Sequence, residues 1–449
     1  MPRRLFFTFA FLVLMTSACS LLEGPPQPVL PTPVPTAVPF DAGSVNMGEL
    51  VFDPVSNVVP AVDPMIASLL NEVSQQQLMG YVQTLEGFGT RNSFSTVDRQ
   101  DFGIGAARLW IYNEFIRVGN GRLQVQQQTF PLNYNGLTTE QQNIVATLPG
   151  TSGSAGVIVI MAHYDTRRDD IMDGANQSPG ADDNASGVAM LLETARVLSS
   201  RGWNHTIILA AMAAEEQGSY GAQHFVQNAY LNDMPVLAAI NYDTVGGRAG
   251  IPQSIRLFAP ELNMSISGEL ARYYDLISGL YVPTFPITVV NALDRDNRFG
   301  DQREFIQANM PAVRLTESEE DPSLLNSVKD SWGLIDYSYL QQVTQINVAT
   351  IANAIGAPAM PTAPNIASMD DPGSYVLNWA PDPAAAGYVI SFRPVDSADF
   401  VPFRFVSAND AGNVALTGFD PNVAYGVSIA ALDGNGRVSL FSPEVIVSP

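Results

Sequence analysis

Seven residues combine types and spacing suited to hydrolytic metal chemistry: His163 and Asp165, Asp182 and Asp183, Glu215 and Glu216, and Asp243. Imidazole and carboxylate donors of this kind suit zinc or manganese, and a carboxylate shared by two ions is a usual way to hold a metal pair. A neighbouring glutamate that is not a ligand can then take a proton from activated water. Each residue alone has a blander explanation. An aspartate before a helix commonly caps it, and Asp-Asp or Glu-Glu pairs are usually solvated. Their joint appearance just after apolar runs favours the chemical reading.

Those apolar runs are the elements that must position them. Val157 to Ala162 is a continuous apolar strand of the kind buried in a largely parallel sheet. Alternate residues of extended chain face the same way, so His163 and Asp165 can act as a ligand and the carboxylate behind it. Val188, Leu191, Leu192, Ala195 and Leu198 follow the aspartate pair at helical spacing. Thr206 to Met212 and Val236 to Asn241 read as further strands, with a helix from Ser219 between them. Gln124 to Phe130 and Asn143 to Leu148 also read as strands. Helices are expected over Asp63 to Phe88 (one or two), Ile104 to Val118, Leu262 to Tyr281 and Tyr337 to Ile355. The alternation predicts an α/β fold with a mixed, mostly parallel sheet flanked by helices, spanning 45–357. Functional residues then belong at the carboxyl ends of strands.

Beyond Ala357 the helical period disappears, and 361–449 predicts an all-β sandwich. Trp379, Tyr388 and the FDPNVAYGVSIAALDGNGRVS stretch resemble a fibronectin type III domain, with Tyr425 in the tyrosine-corner position. At the other end, Arg3 and Arg4, an apolar run from Leu5 to Met15 and small residues before Cys19 form an export signal over 1–18, too short for an ordinary membrane helix. The Thr16-Ser17-Ala18-Cys19 sequence resembles a bacterial lipoprotein box, which implies lipidation of Cys19 and an envelope lipoprotein, with simple secretion as the alternative. Cys19 is the only cysteine, so no disulfide forms within the chain. The proline-rich tract within 19–44 reads as a semi-extended tether. A formal charge of −22 argues against nucleic acid as a partner.

The motifs AHYD, PGADDNASG, AAEEQGSYGAQHF and NYDTVG resemble, in order and spacing, the co-catalytic zinc aminopeptidases of clan MH, a likeness running from about Leu85 to Ile355. The resemblance implies that His163 and Asp243 bind a first zinc, that Asp182 bridges to a second, and that Glu216 completes the second. It also implies Glu215 as general base and acid, Asp165 as the group orienting His163, and a cis peptide at Asp182-Asp183. Two positions depart from the pattern. Asn326 stands where the family places its late histidine ligand, a poorer zinc donor, so one or two ions remain open. Gln302 replaces a histidine after Asp301. Glu317, Glu319, Glu320 and Asp330 are the nearby carboxylates that could substitute. His205 and His224 read as structural.

These readings lead to a zinc-dependent exopeptidase that hydrolyses N-terminal peptide bonds of extracellular peptides with metal-activated water. The alternative is a catalytically impaired, surface-tethered binding protein on the same fold. Glutaminyl cyclases of this fold keep the late histidine that is missing here, which makes cyclisation a poor fit.

Overall fold

Strand β4 (Val157–His163) lies near the centre of an eight-stranded mixed sheet. Its neighbours are β5 (Thr206–Met212) and β6 (Val236–Tyr242), both parallel to it. Alternation along β4 sends Ile158, Ile160 and Ala162 into one core and Val159 and Met161 into another, so both sheet faces are covered. Helix α4 (Ser186–Leu198) connects β4 to β5, and α5 (Tyr220–Leu231) connects β5 back across to β6. The strand order therefore reverses at β4, and a crevice opens outside its carboxyl end. Close packing there depends on Gly187: a Cβ on it would lie 2.7 Å from the Tyr242 carbonyl oxygen.

The computed structural model describes residues 50–448 apart from 153–155, 297, 401 and 412; Cys19, the export signal and the proline-rich tract lie outside them. The sheet continues on one side with β2 (Gln124–Tyr134) and β3 (Leu137–Leu148), and on the other with β7 (Ile255–Ala259), β8 (Ile287–Asn291) and β9 (Ala312–Glu317), in the order β2-β3-β5-β4-β6-β9-β7-β8. β2 and β3 extend further toward each other than their apolar residues predict. They meet at Asn135-Gly136, both with positive φ (45° and 81°), the backbone a two-residue hairpin requires. The remaining α-helices among the described residues are α1 (Pro64–Leu70), α2 (Gln75–Gly87), α3 (Ile104–Gly119), α6 (Ile266–Tyr281), α7 (Gln302–Gln307) and α8 (Tyr337–Gly356). α6 starts four residues later than the apolar spacing suggests, because the Ser265 hydroxyl caps it by accepting from Gly268 N.

The C-terminal region forms two four-stranded sheets. One is β13 (Arg404–Ser407), β12 (Gly387–Pro394), β15 (Tyr425–Leu432) and β16 (Val445–Val447). The other contains β14 (Val414–Leu416), β11 (Tyr375–Asn378) and β10 (Asn365–Ser368), and its edge is completed by β1 (Val51–Phe52), parallel to β14. The first strand among the described residues thus belongs to the sandwich, across the boundary drawn from sequence. Trp379 packs edge-on against Tyr388 at 5.2 Å, and the Tyr425 hydroxyl accepts from Asp420 N at 3.2 Å. The layers are fused: Leu432, Val438 and Leu440 share the core of the α/β region, and Glu444 accepts from Arg272 of α6 as well as from Arg393.

Candidate active site

His163 closes β4, with its ring fully buried. Its Nδ1 lies 3.1 Å from the Asp165 carbonyl oxygen and 3.7 Å from the Asp165 carboxylate, so the main chain is the nearer acceptor. With Nδ1 donating there, Nε2 faces Asp183 Oδ1 at 3.2 Å and Asp243 Oδ1 at 3.6 Å. The Asp165 carboxylate does something else: it accepts from the backbone N–H groups of Glu215 (3.1 Å) and Glu216 (3.2 Å), fixing the turn that carries both glutamates.

The aspartate pair divides its work differently from the expectation. Asp183 meets His163, whereas Asp182 turns away and accepts from Gly246 N at 2.7 Å. The member of the pair that faces the imidazole is therefore Asp183, where Asp182 was expected. Asp330 sets this orientation by accepting from the backbone N–H groups of Asp182 (2.7 Å) and Asp183 (3.0 Å). The cis peptide is Asp183-Asn184, one residue beyond the expected bond. Asn184 ties the loop to β6 by donating to the Tyr242 carbonyl at 2.9 Å.

Asp243, at the end of β6, is held by a residue the sequence reading missed. Arg314 of β9, fully buried, reaches Asp243 Oδ2 at 3.2 Å and Asp294 at 3.0 Å. A charged residue inside the apolar run AVRLTE was the available signal. Gln302 joins the same network, donating to Asp294 Oδ2 (2.7 Å) and accepting from Asn241 (3.0 Å). Asp301 is buried beside the cluster, and neither carboxylate oxygen has a hydrogen-bond partner among the described residues. Burial pushes it up to about 7.

Glu215 and Glu216 follow β5 and line a cleft of about 300 Å³ with Asp183, Asp243, Arg167 and Asn326. Arg295, Arg298, Phe299 and Arg303 form more of its wall. Burial raises Glu215 well above the carboxylate range, and burial, with Asp183 next, lifts Glu216 to about 8. Burial disfavours charge on His163, but facing Glu215 and the three aspartates outweighs it and holds the imidazole well above its usual value. Asp243 goes the other way: Arg314 and His163 overcome burial and depress it strongly.

His163 Nε2 and one oxygen each of Asp183 and Asp243 lie within 4.8 Å of one another. Bonds of about 2 Å to zinc put tetrahedral ligands roughly 3.3 Å apart, so the 3.2 and 3.6 Å spacings fit a single ion with a position left open. Glu216 and Asn326 do not join this group. Arg167 Nε donates to Glu216 Oε2 at 2.7 Å. The Asn326 amide, oriented to satisfy both neighbours, donates to Glu216 Oε1 (2.9 Å) and accepts from Arg167 Nη2 (3.1 Å). The substitute carboxylates are also engaged elsewhere: Glu317 and Glu319 with Arg248, Glu320 with Arg256 and Arg295. His205 Nε2 donates to the Ala357 carbonyl, and His224 stacks on Phe130 at 5.1 Å, both away from the cleft.

Residues 143–351 match Peptidase family M28. A probable zinc metalloprotease of Leptosphaeria maculans is 30% identical over 431 residues, covering 86% of this chain and 98% of that protein. Coverage of that extent cannot be reached without including part of the sandwich. In fold, the chain is similar to the LapA aminopeptidase of Legionella pneumophila (TM-score 0.54, 20% identity, 64% of this chain and 75% of that one). It is also similar to the glutaminyl cyclase of Porphyromonas gingivalis (TM-score 0.51, 21% identity, 62% and 97%).

Proposed function

Because the chain belongs to peptidase family M28, we propose that it is a zinc-dependent exopeptidase that hydrolyses N-terminal peptide bonds. The observation that carries this reading is the convergence of His163, Asp183 and Asp243 on one point of a cleft that Glu215 also lines. His163, Asp183 and Asp243 would hold zinc. When bound, zinc supplies Lewis acidity, polarising a carbonyl and making water acidic near neutral pH.

The chain's own residues do the rest. Glu215 takes the proton of the attacking water on its carboxylate and delivers it to the leaving amine. Asp165 keeps Glu215 in place through its backbone N–H. Arg314 keeps Asp243 charged and aimed. Peptides with a free N-terminus are the proposed substrates, and lipidation of Cys19 is the proposed route to an envelope membrane.

The test is hydrolysis of a panel of aminoacyl chromogenic substrates beside N-terminally blocked ones, with Glu215→Gln as control. Turnover of the free-amine panel that vanishes in the control supports the reading. Turnover only of blocked or internal bonds removes the exopeptidase assignment. The tethered binding protein is favoured by one observation, the occupation of Glu216 by Arg167. It predicts peptide binding without turnover.

A further inference from the structure

We propose that this protein holds a single divalent cation, at His163, Asp183 and Asp243, and that the Arg167 guanidinium permanently fills the place where a second ion would sit. The proposal rests on the metallopeptidase reading and concerns how many ions that site takes.

The Glu216 side chain is 8% exposed, and both of its carboxylate oxygens are already used. Oε2 accepts from Arg167 Nε at 2.7 Å, and Oε1 accepts from the Asn326 amide at 2.9 Å. The ring closes on itself, since Arg167 Nη2 donates back to the Asn326 oxygen at 3.1 Å. Charge-assisted bonds of this kind are among the stronger ones a side chain makes. An arginine also cannot vacate by losing its proton, as a histidine or lysine can when a metal arrives. An entering dication would therefore have to break the ring and share a partly buried space with a fixed positive charge, where repulsion is weakly screened.

The local backbone supports the same arrangement. Asn326 adopts a left-handed φ of 54°, a conformation that asparagine tolerates better than most residues. Among the described residues, only His163, Asp183 and Asp243 form a donor group close enough to share an ion.

The experiment measures zinc per chain by elemental analysis after the full-length protein is saturated with zinc and dialysed, each variant being checked for a cooperative melting transition. The wild type is expected to retain one zinc, His163→Ala none, and the Arg167→Ala/Asn326→His double variant two. A wild type that retains two ions overturns the proposal and leaves the metallopeptidase reading standing. A double variant that folds and stays at one ion overturns the role given to Arg167. A wild type that retains no zinc overturns both.

Discussion

The two halves of the cleft start from the same materials and end in opposite states. Around His163, Asp183 and Asp243 the cationic partner of the carboxylates sits behind them: Arg314 takes the far oxygen of Asp243 and leaves the near one facing the imidazole. Around Glu216 the cation sits in front, and Arg167 with Asn326 takes both oxygens. What separates a metal-competent carboxylate from a structural ion pair is therefore which lone pairs its neighbours leave open. The number of carboxylates in the cleft does not decide it.

The contrast can be broken most completely at His163. His163→Ala should abolish zinc retention and reduce hydrolysis to background, measured by elemental analysis and initial rates. Persistence of either would move the metal elsewhere. Glu215→Gln should lower kcat by about 10²- to 10⁴-fold while zinc content stays unchanged, separating proton transfer from metal binding. Arg314→Met leaves Asp243 buried without its cation and Asp294 with Arg295 alone. It should cost about 3–5 kcal/mol in denaturant unfolding, the usual loss when one partner of a buried pair is removed. Asp294→Asn sharpens the picture by pH. Arg314 and Arg295 overcome burial to hold Asp294 below its usual value, so its contribution is present above about pH 4 and is lost as pH falls further. Melting curves from pH 6 down to pH 3 should therefore fall less steeply for the variant than for the wild type.

The same distinction explains how much could be read before folding. His163, the Glu215-Glu216 pair and Asp243 were legible because each follows an apolar run that becomes a parallel strand, and strand ends converge by topology. Asp182 and Asp183 were not separable, since which of two adjacent carboxylates faces the imidazole is decided by an irregular loop pinned by Asp330 from far along the chain. Arg167 and Arg314 escaped notice because an arginine's partner is set in three dimensions, although Arg314 inside an apolar strand was a visible clue. The fold class followed from periodicity. β8 and the full length of the β2–β3 hairpin did not, because strands at the edges of a sheet expose polar residues that mask the alternation. The resemblance of 361–449 pointed to a sandwich. The short strand supplied by residues 51–52 carried no sequence signal of its own.

That strand has a mechanical consequence. Val51 and Phe52 are stitched to β14, Arg437 of the sandwich pairs with Asp63 ahead of α1, and Tyr273 of α6 donates to the Val438 carbonyl. The described part of the chain is clasped at both ends, so a protease nick in the connection between α8 and β10 would yield two fragments that still migrate together. Excising the sandwich to obtain a minimal catalytic piece would strip a covering from the α/β core and leave apolar surface bare. The unit that can be moved, tethered or pulled upon is the whole clasped body.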